Sequence, residues 1–379
     1  TPEQERPSDA DNHQTPQQTE EEKTDNLIGK KLATYYAQIL FYAFLTESPV
    51  DSLQAIIASI EGSEENKRIA GHVGLKVSLL RLVQQKSNVF SLRGLDYKIE
   101  NLNGLMRDES LTPMKRVEVA MAKFGRLSSS EIVTPQSVAL EMIHALGDDA
   151  ITNETRILDI ASKQGEFTRA FISKYGTEIG KDIYALPTSS VSYEFTRKVY
   201  SLLGLDTDLV ISNFNAYELL NPEHKESLIQ QLKDMNFDLV IGNPPYQQNI
   251  AKTEGNRSLS RQLYPKFLEV SFGITRRNSV LITPSRWFTA DGQDNSFPAL
   301  RKIVAENNHM RKVLSFNGKS LFPNAELGDV AVLVWDKLYQ GDVLFEEHFE
   351  KSEVSSMLRP FFEDGIDMIL PMNSLVSIL

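Results

Sequence analysis

The stretch DLVIGNPPYQQN, residues Asp238–Asn249, joins a run of apolar strand-forming residues to an amide, two prolines and an aromatic ring. The apolar run predicts a buried strand, and ligands of open α/β sheets bind beyond the carboxyl ends of such strands. Because proline fixes φ and has no N–H, Pro244 and Pro245 are expected to hold the loop rigid. Asn243 Oδ1 and the Pro244 carbonyl would then be preorganised acceptors beside the flat ring of Tyr246. This pattern is typical of a receptor for a planar molecule with an NH2 group.

From Ser128 onward, short β-branched runs alternate with helical patterns. This alternation is the signature of βαβ units and predicts an α/β fold with a mainly parallel, doubly wound sheet. Helical patterns dominate the chain before this point, so an all-helical N-terminal region is expected. The sheet is predicted to have seven strands, at residues 156–161, 182–186, 208–212, 237–242, 279–283, 312–316 and 329–335.

Four regions follow from these patterns. Residues 1–26 are rich in Gln, Pro and Thr and hold eight acidic against two basic residues, which predicts a disordered acidic tail. Residues 27–123 form the helical region and residues 124–340 the α/β core. Residues 341–379 are interpreted as the start of a truncated C-terminal region. The tail carries much of the net charge of −11, so an acidic total does not exclude nucleic acid as a partner.

Composition excludes several classes of chemistry. The sequence contains no cysteine, which rules out disulfides, thiolate zinc sites and cysteine nucleophiles. The six histidines are scattered without metal-ligand spacing, and no GxxxxGK[ST] stretch occurs, so no metal site is predicted. No apolar run approaches the ~20 residues of a membrane helix, and no export signal follows Thr1. We therefore expect a cytoplasmic protein without membrane contact, and interpret the sequence as a piece of a longer chain.

The segment DLVIGNPPY resembles the catalytic motif of amino-methyltransferases that use S-adenosylmethionine, above all the gamma-class adenine-N6 DNA methyltransferases of combined (type IIG-like) restriction-modification enzymes. The resemblance implies the S-adenosylmethionine-dependent methyltransferase fold and catalytic roles for Asn243, Pro244, Pro245 and Tyr246. Asn243 and Pro244 would accept both hydrogens of the adenine amine, and Tyr246 would stack on the flipped base. The alternative is a proline-rich turn in which Asn243 is only a structural cap.

The segment DIASKQGEF, residues Asp159–Phe167, resembles the cofactor loop DPxxGxGxF of the same family. It departs from that pattern at Ile160, in place of the proline, and at Lys163, in place of the first glycine. A lysine there restricts close backbone approach and adds a positive charge. The resemblance implies cofactor contacts from Asp159, Ala161, Gly165 and Phe167.

Three more positions concern the cofactor. Thr134 and Pro135 match the family segment that closes over the methionine end, and Asn215 stands where related enzymes carry an aspartate that binds the cofactor's adenine amine. Pro187 stands where an acid that binds the ribose hydroxyls is expected. The resemblance thus implies that Thr134, Pro135 and Asn215 bind the cofactor, together with Asn243 itself.

Residues 247–286 carry seven Lys and Arg against two Glu, an excess that favours contact with phosphates. Lys252, Arg257 and Arg261 are the candidate DNA-binding residues in this segment. Phe322 matches the family aromatic that packs against the flipped adenine. The predicted partner is double-stranded DNA with a flipped adenine, and attached nuclease or helicase domains would lie outside this piece.

Two other interpretations remain open. Lys163 and Pro187 allow a degenerate methyltransferase fold that binds DNA or a partner without catalysis. Methylation of a protein glutamine or of an RNA base is the other, since the motif suits any planar NH2 group. The segment around Thr134 and the later segment FPN to VLVW favour DNA.

Overall fold

The computed structural model describes residues 34–124, 132–249, 260–292, 295–348, 354–376 and 378. The chain divides into two compact units, one ending at Leu102 and the other spanning Asn103–Leu379. The predicted tail, residues 1–26, lies outside the described residues, and the predicted region boundaries stay predictions.

The first unit is helical throughout its regular structure. Ser52 and Ser63 begin successive helices, because each hydroxyl accepts a hydrogen bond from a backbone N–H in the first turn of its helix. Four apolar side chains of one helix, Leu53, Ile56, Ile57 and Ile60, are buried. This confirms the all-helical N-terminal region. The helices are α1 (residues 34–45), α2 (Leu53–Gly62), α3 (Glu64–His72), α4 (Val77–Lys86) and α5 (Val89–Met106), the last of which ends in the second unit.

The second unit alternates strands and helices. Its helices are α6 (Pro113–Phe124), α7 (Gln136–His144), α8 (Glu166–Tyr175), α9 (Ser190–Leu202), α10 (Lys225–Asp234), α11 (Tyr264–Ile274), α12 (Ser296–Asn307), α13 (Gly318–Leu321) and α14 (Asn373–Val376). Its strands are β1 (Ile157–Ser162), β2 (Ile183–Pro187), β3 (Leu239–Gly242), β4 (Gln247–Asn249), β5 (Ser260–Gln262), β6 (Asn278–Pro284), β7 (Met310–Asn317), β8 (Asp329–Asp336), β9 (Val343–His348) and β10 (Ser355–Arg359).

Within the part of the chain that is described, eight strands form one sheet in the order β10-β9-β7-β8-β6-β3-β1-β2. The half β6-β3-β1-β2 is parallel, β8 runs antiparallel to both of its neighbours, β7 and β9 are parallel, and β10 is antiparallel to β9. Strands β4 and β5 form a separate antiparallel pair. The α/β class is confirmed.

The predicted count of seven strands is wrong in two places. Residues 208–212 contribute only an isolated bridge at Val210, because the Asp206 side chain accepts from Asp208 N–H and starts a short 3-10 turn over Thr207–Leu209. Two unpredicted strands, β9 and β10, extend the sheet beyond residue 340. The sheet is therefore mixed, with eight strands. Weak apolar patterning concealed β9, which is only partly buried along most of its length.

The parallel half of the sheet positions the site. Every residue of β1 and β3 is buried, as expected for strands covered on both faces. Asp159 pairs with Ile241, and Gly242 pairs with Leu281, so the carboxyl ends of β1, β3 and β6 lie side by side. The loops after these three strands consequently meet at one edge of the sheet.

Gly318 permits a close backbone approach beside this edge. Its N–H donates to the Gly328 carbonyl at 3.1 Å, and an added Cβ would meet Leu327 Cβ at 2.8 Å and overlap the Gly328 carbonyl oxygen. Gly318→Ala should therefore lower the free energy of unfolding by about 1–3 kcal/mol through overpacking, measured by urea denaturation. The control Gly273→Ala, in α11 with nothing within 4 Å of the added Cβ, should be neutral or stabilising. Equal effects of the two changes would contradict the close approach.

Candidate functional site

Asn243, the first residue after β3, is held in one orientation. Its side chain is 1% exposed, and Nδ2 donates to the Ile132 carbonyl and to Thr134 Oγ1, both at 3.2 Å. Because these two bonds use both amide hydrogens, Oδ1 is the end of the amide that can accept from a ligand. The following prolines, Pro244 and Pro245, offer no N–H that would compete for it. The corner after β3 thus leaves the Asn243 amide oxygen as its side-chain acceptor.

Tyr246 contributes its ring rather than its hydroxyl. The ring packs edge-on against Tyr264, with centroids 6.3 Å apart and planes at 81°. The buried Tyr246 hydroxyl has no hydrogen-bond partner among the described residues, and burial raises its pKa, so the group stays neutral. The apolar surface is therefore the functional candidate at this position.

A cavity of about 1490 Å³ lies beyond the corner, and residues 243–246 line it. Phe322 lines the same cavity, and only 3% of its surface is exposed. Residues 322–330 form a further part of the wall. Arg286, which is exposed, contributes a positive charge to the lining from the end of β6. The corner opens toward a space that accommodates a ligand of nucleotide size, since small-molecule sites commonly occupy ~300–1,000 Å³.

The loop between β1 and α8 is tied to the same corner. Lys163 Nζ donates to the Asn243 carbonyl at 2.6 Å, and the lysine side chain is 5% exposed. Glu166 Oε2 accepts from the backbone N–H groups of Lys163, at 3.2 Å, and Gln164, at 2.8 Å. A hydrogen-bonded chain thus runs from the start of α8 to the residue after β3.

The charges in this loop are buried. Asp159 is 0% exposed, and Glu166 is 1% exposed. Burial, and then the neighbouring Glu166 carboxylate, raise the pKa of Asp159 well above its usual range, against the opposing effects of Ser162 and Lys163. Within the described part of the chain, Asp159 Oδ2 and Glu166 Oε1 have no hydrogen-bond partner. Each of these two buried carboxyl oxygens is therefore available for a further hydrogen bond.

The other predicted cofactor residues lie around this loop. Ala161 is buried in β1, and Phe167 is buried in α8. Gly165 has a φ of 71°, and an added Cβ would meet Val199 Cγ1 at 3.2 Å, so this position requires glycine on both counts. Pro135 lies at the N-terminus of α7 and lines the cavity.

Asn215 is engaged within its own segment. Its Oδ1 accepts from Tyr217 N–H at 3.0 Å, and the Glu218 carboxylate accepts from its backbone N–H at 3.1 Å. This capping box starts the 3-10 helix Ala216–Leu220. Pro187 ends β2, and the hydroxyls of the next two residues bond to Ser192 in the first turns of α9. The cofactor role of Asn215 stays a prediction.

Two predicted DNA-binding residues, Lys252 and Arg257, lie outside the described residues. Arg261 pairs with Gln248 through the backbone of the β4-β5 hairpin, and its side chain is not among those described. Sequence reasoning identified Lys163 only as a departure from the family loop, and it missed Glu166. An acidic residue at the first position of a helix was the available signal, because carboxylates favour helix N-termini.

Comparison with known proteins gives two matches by sequence. Residues 151–322 match the model of the Eco57I restriction-modification methylase family. An uncharacterized adenine-specific methylase from Mycoplasma pneumoniae is 29% identical over 135 residues, which cover 34% of this chain and 31% of that protein. This chain accordingly matches less than a third of that relative's length. These sequence matches confirm the predicted resemblance to restriction-modification methylases.

Solved structures agree on the fold. The methyltransferase subunit of a type I restriction-modification system from Streptococcus thermophilus gives a TM-score of 0.55 at 13% identity, covering 88% of this chain and 74% of that one. The ATP-dependent type ISP restriction-modification enzyme LlaBIII, solved bound to DNA, gives 0.53 at 13% identity, covering 89% of this chain and 28% of that one. The methyltransferase fold is therefore confirmed.

Among the described residues, no helix is long and apolar enough to cross a membrane.

The buried carboxylate of Asp159 makes stability depend on pH. Because its pKa is raised on folding, the folded chain binds this proton more tightly than the unfolded chain does. The resulting stabilisation is complete below the ordinary aspartate pKa of about 4 and is lost as pH rises through the raised value. Asp159→Asn keeps the shape and removes the charge, so its melting temperature should fall less between pH 5 and pH 8 than that of the unmodified protein.

Each kcal/mol of this difference corresponds to roughly 2–4 °C for a domain of this size, within the reach of calorimetry. The exposed Asp149→Asn is the matched control, and its melting curve should follow that of the unmodified protein at every pH. Parallel pH dependence of Asp159→Asn and the unmodified protein would contradict a raised pKa at Asp159.

Proposed function

We propose that this chain is the catalytic module of an adenine-N6 DNA methyltransferase of a restriction-modification system, with S-adenosylmethionine as methyl donor. The observation that carries the proposal is the fixed amide of Asn243. Asn243 and the neighbouring Pro244 line a cavity together with Tyr246 and Phe322. The match of residues 151–322 to restriction-modification methylases supports it.

The chemistry of an aromatic amine explains why such a corner is useful. The lone pair of the adenine N6 amine is conjugated with the ring, so the amine is a poor nucleophile. Acceptance of both amine hydrogens, by Asn243 Oδ1 and the Pro244 carbonyl, favours the pyramidal form in which the lone pair is available. Since this form develops in the transition state, the two preorganised acceptors lower the barrier rather than merely bind the base. No strong base is needed.

One polar group at the end of β1 suits the proposed cofactor. Asp159 Oδ2, buried and without a partner in the described chain, is an acceptor suited to the ammonium of an amino acid. Asp159, Gly165 and Asn243 are the residues we propose for the amino-acid end, with Thr134 and Pro135 closing over it. Ala161, Phe167 and Asn215 are the further proposed contacts. When bound, S-adenosylmethionine supplies an electrophilic methyl group on a sulfonium.

Double-stranded DNA, with the target adenine flipped into the cavity, is the proposed substrate. The exposed Arg286 lines the cavity, and Lys252, Arg257 and Arg261 follow the catalytic corner in sequence, so all four are proposed to meet phosphates. Because the proposed substrate is cellular DNA, we also propose a cytoplasmic location. Nuclease or helicase activity in a longer chain is proposed only by analogy with combined restriction-modification enzymes.

The proposal is tested by transfer of tritiated methyl groups to unmethylated genomic DNA, followed by identification of the labelled nucleoside. We expect N6-methyladenine, and a loss of at least about 100-fold in rate for Asn243→Ala, the scale of losing one preorganised polar group in an active site. Label in protein glutamine or in RNA instead of DNA would assign the fold to another substrate. Full activity of Asn243→Ala would exclude the proposed role of the amide.

Two substitutions at Tyr246 separate stacking from hydroxyl chemistry. Tyr246→Phe should transfer methyl groups at the rate of the unmodified protein, because the hydroxyl has no partner in the described residues. Tyr246→Ala should raise the apparent KM for DNA or lower the rate by a total of about 1–3 kcal/mol, the contribution of one base–aromatic stack. Steady-state kinetics on one short duplex measures both. A defect in Tyr246→Phe as large as that in Tyr246→Ala would show that the hydroxyl, not the ring, is required.

A further inference from the structure

The crevice between the carboxyl ends of β1 and β3 is occupied by two charged side chains of the chain itself. Lys163 crosses it from the loop after β1 to the Asn243 carbonyl after β3. Glu166 lies in the same loop, at the first residue of α8, and folds back on the loop's backbone. Both side chains are almost completely buried. This is the place where open α/β sheets bind ligands.

Glu166 fills an anion site. Backbone N–H groups before the first turn of a helix attract anions, because they lack partners within the helix and face the positive end of its dipole. Glu166 Oε2 accepts from two such groups, those of Lys163 and Gln164, at 3.2 and 2.8 Å. A ligand carboxylate that reached this loop would need the same two donors.

Lys163 fills the neighbouring cation site. Its ammonium donates to the Asn243 carbonyl at 2.6 Å and lowers the cost of ionising Asp159. Asp159 Oδ2 is nevertheless left without a partner among the described residues, although it is fully buried. A ligand ammonium would find two acceptors here. The Asn243 carbonyl already accepts from Lys163, and Asp159 Oδ2 is unused. The crevice therefore holds one internal cation and one internal anion side by side.

S-adenosylmethionine carries both charges on its amino-acid end, an α-ammonium and an α-carboxylate. We propose that Lys163 and Glu166 occupy the subsites for these two groups, so that the pair sets the affinity for the methyl donor by competing with its amino-acid end. The proposal rests on the proposed function, which supplies the identity of the donor. It explains how a lysine in place of the family's glycine is compatible with a folded loop. The Lys163 ammonium takes the place of the ligand's ammonium and makes a hydrogen bond to the Asn243 carbonyl.

Competition of this kind weakens binding by a definite factor. If only a fraction of molecules has Lys163 and Glu166 withdrawn, the apparent Kd of the donor rises by the inverse of that fraction. Lys163 and Glu166 are covalently attached to the protein and therefore act at high effective concentration. The donor can bind only when both side chains have left the subsites. Removal of either side chain should therefore tighten binding of any ligand that has the amino-acid end, and of no other ligand.

The experiment compares two ligands in titration calorimetry without DNA. S-adenosylmethionine has the amino-acid end, and 5′-methylthioadenosine lacks it but keeps the adenosine and the sulfur. For Lys163→Ala and Glu166→Asn, the Kd of S-adenosylmethionine should fall at least tenfold, and that of methylthioadenosine should stay the same. Lys163→Arg keeps a cation in the crevice and should give no gain, and Lys181→Ala, at an exposed ion pair with Glu178, should change neither Kd. Melting temperatures check that each variant is folded.

A second measurement uses the unmodified protein and needs no variant. Lys163 is 5% exposed, so an amine-specific acylating reagent should label it slowly. Saturating S-adenosylmethionine should expel the side chain and increase labelling of Lys163 in peptide mass spectrometry, whereas methylthioadenosine should leave labelling unchanged. Unchanged labelling with the donor bound would overturn the proposal, as would a donor Kd that stays the same or rises in Lys163→Ala. An equal gain for both ligands would overturn it as well.

These outcomes are separable from those of the proposed function. A protein whose donor affinity rises in Lys163→Ala but that never methylates DNA refutes the function and leaves the competition standing. A protein that methylates DNA while Lys163→Ala binds the donor no more tightly, or more weakly, refutes the competition alone. In the second case, Lys163 would be a direct contact of the donor or a support for the Asn243 carbonyl.

Discussion

The orientation of one amide, that of Asn243, is the constraint on which the candidate site depends. An asparagine side chain presents an acceptor at one end and two donors at the other, and rotation by 180° exchanges them. The donors of Asn243 are consumed by the Ile132 carbonyl and the Thr134 hydroxyl, which lie more than a hundred residues earlier in the chain. The acceptor end is thereby fixed before any ligand arrives. Pro244 and Pro245 complete the effect, since neither adds a competing donor.

The same edge of the sheet contains three buried titratable side chains. Asp159, Lys163 and Glu166 are all buried, and burial of ionised groups is costly unless their hydrogen bonds are complete. In the described chain these bonds are incomplete, because one oxygen of each carboxylate has no partner. Native proteins satisfy the great majority of buried polar groups, so these two oxygens are exceptions. Lys163, whose backbone N–H donates to Glu166, lines the cavity. The other residues of β1 and β3, by contrast, are buried, and most of them are apolar.

Local sequence features predicted much of this architecture. Six of the seven predicted strands occur among the described residues. The prediction failed where local and tertiary forces differ. Residues 208–212 have the composition of a strand, but the Asp206 side chain competes for a backbone N–H and starts a turn. Strand β9 has a weak pattern, yet it pairs with β7 along its length, since an open sheet edge supplies backbone partners for a segment of modest hydrophobicity.

The sequence by itself determined the α/β class, the position of the acceptor corner directly after a buried strand, and the departure of Lys163 from a glycine-rich loop. The first two features follow from periodicity and from the chemistry of proline, which act within a few residues. The departure at Lys163 follows from the resemblance of DIASKQGEF to the family's cofactor loop. The tertiary structure alone decided that Lys163 bonds to the Asn243 carbonyl, 80 residues away, and that the Glu166 carboxylate accepts from the backbone of the loop between β1 and α8. The physical reason is strand register: the pairing of β1 with β3 brings their carboxyl ends together, and no local pattern specifies which strands become neighbours.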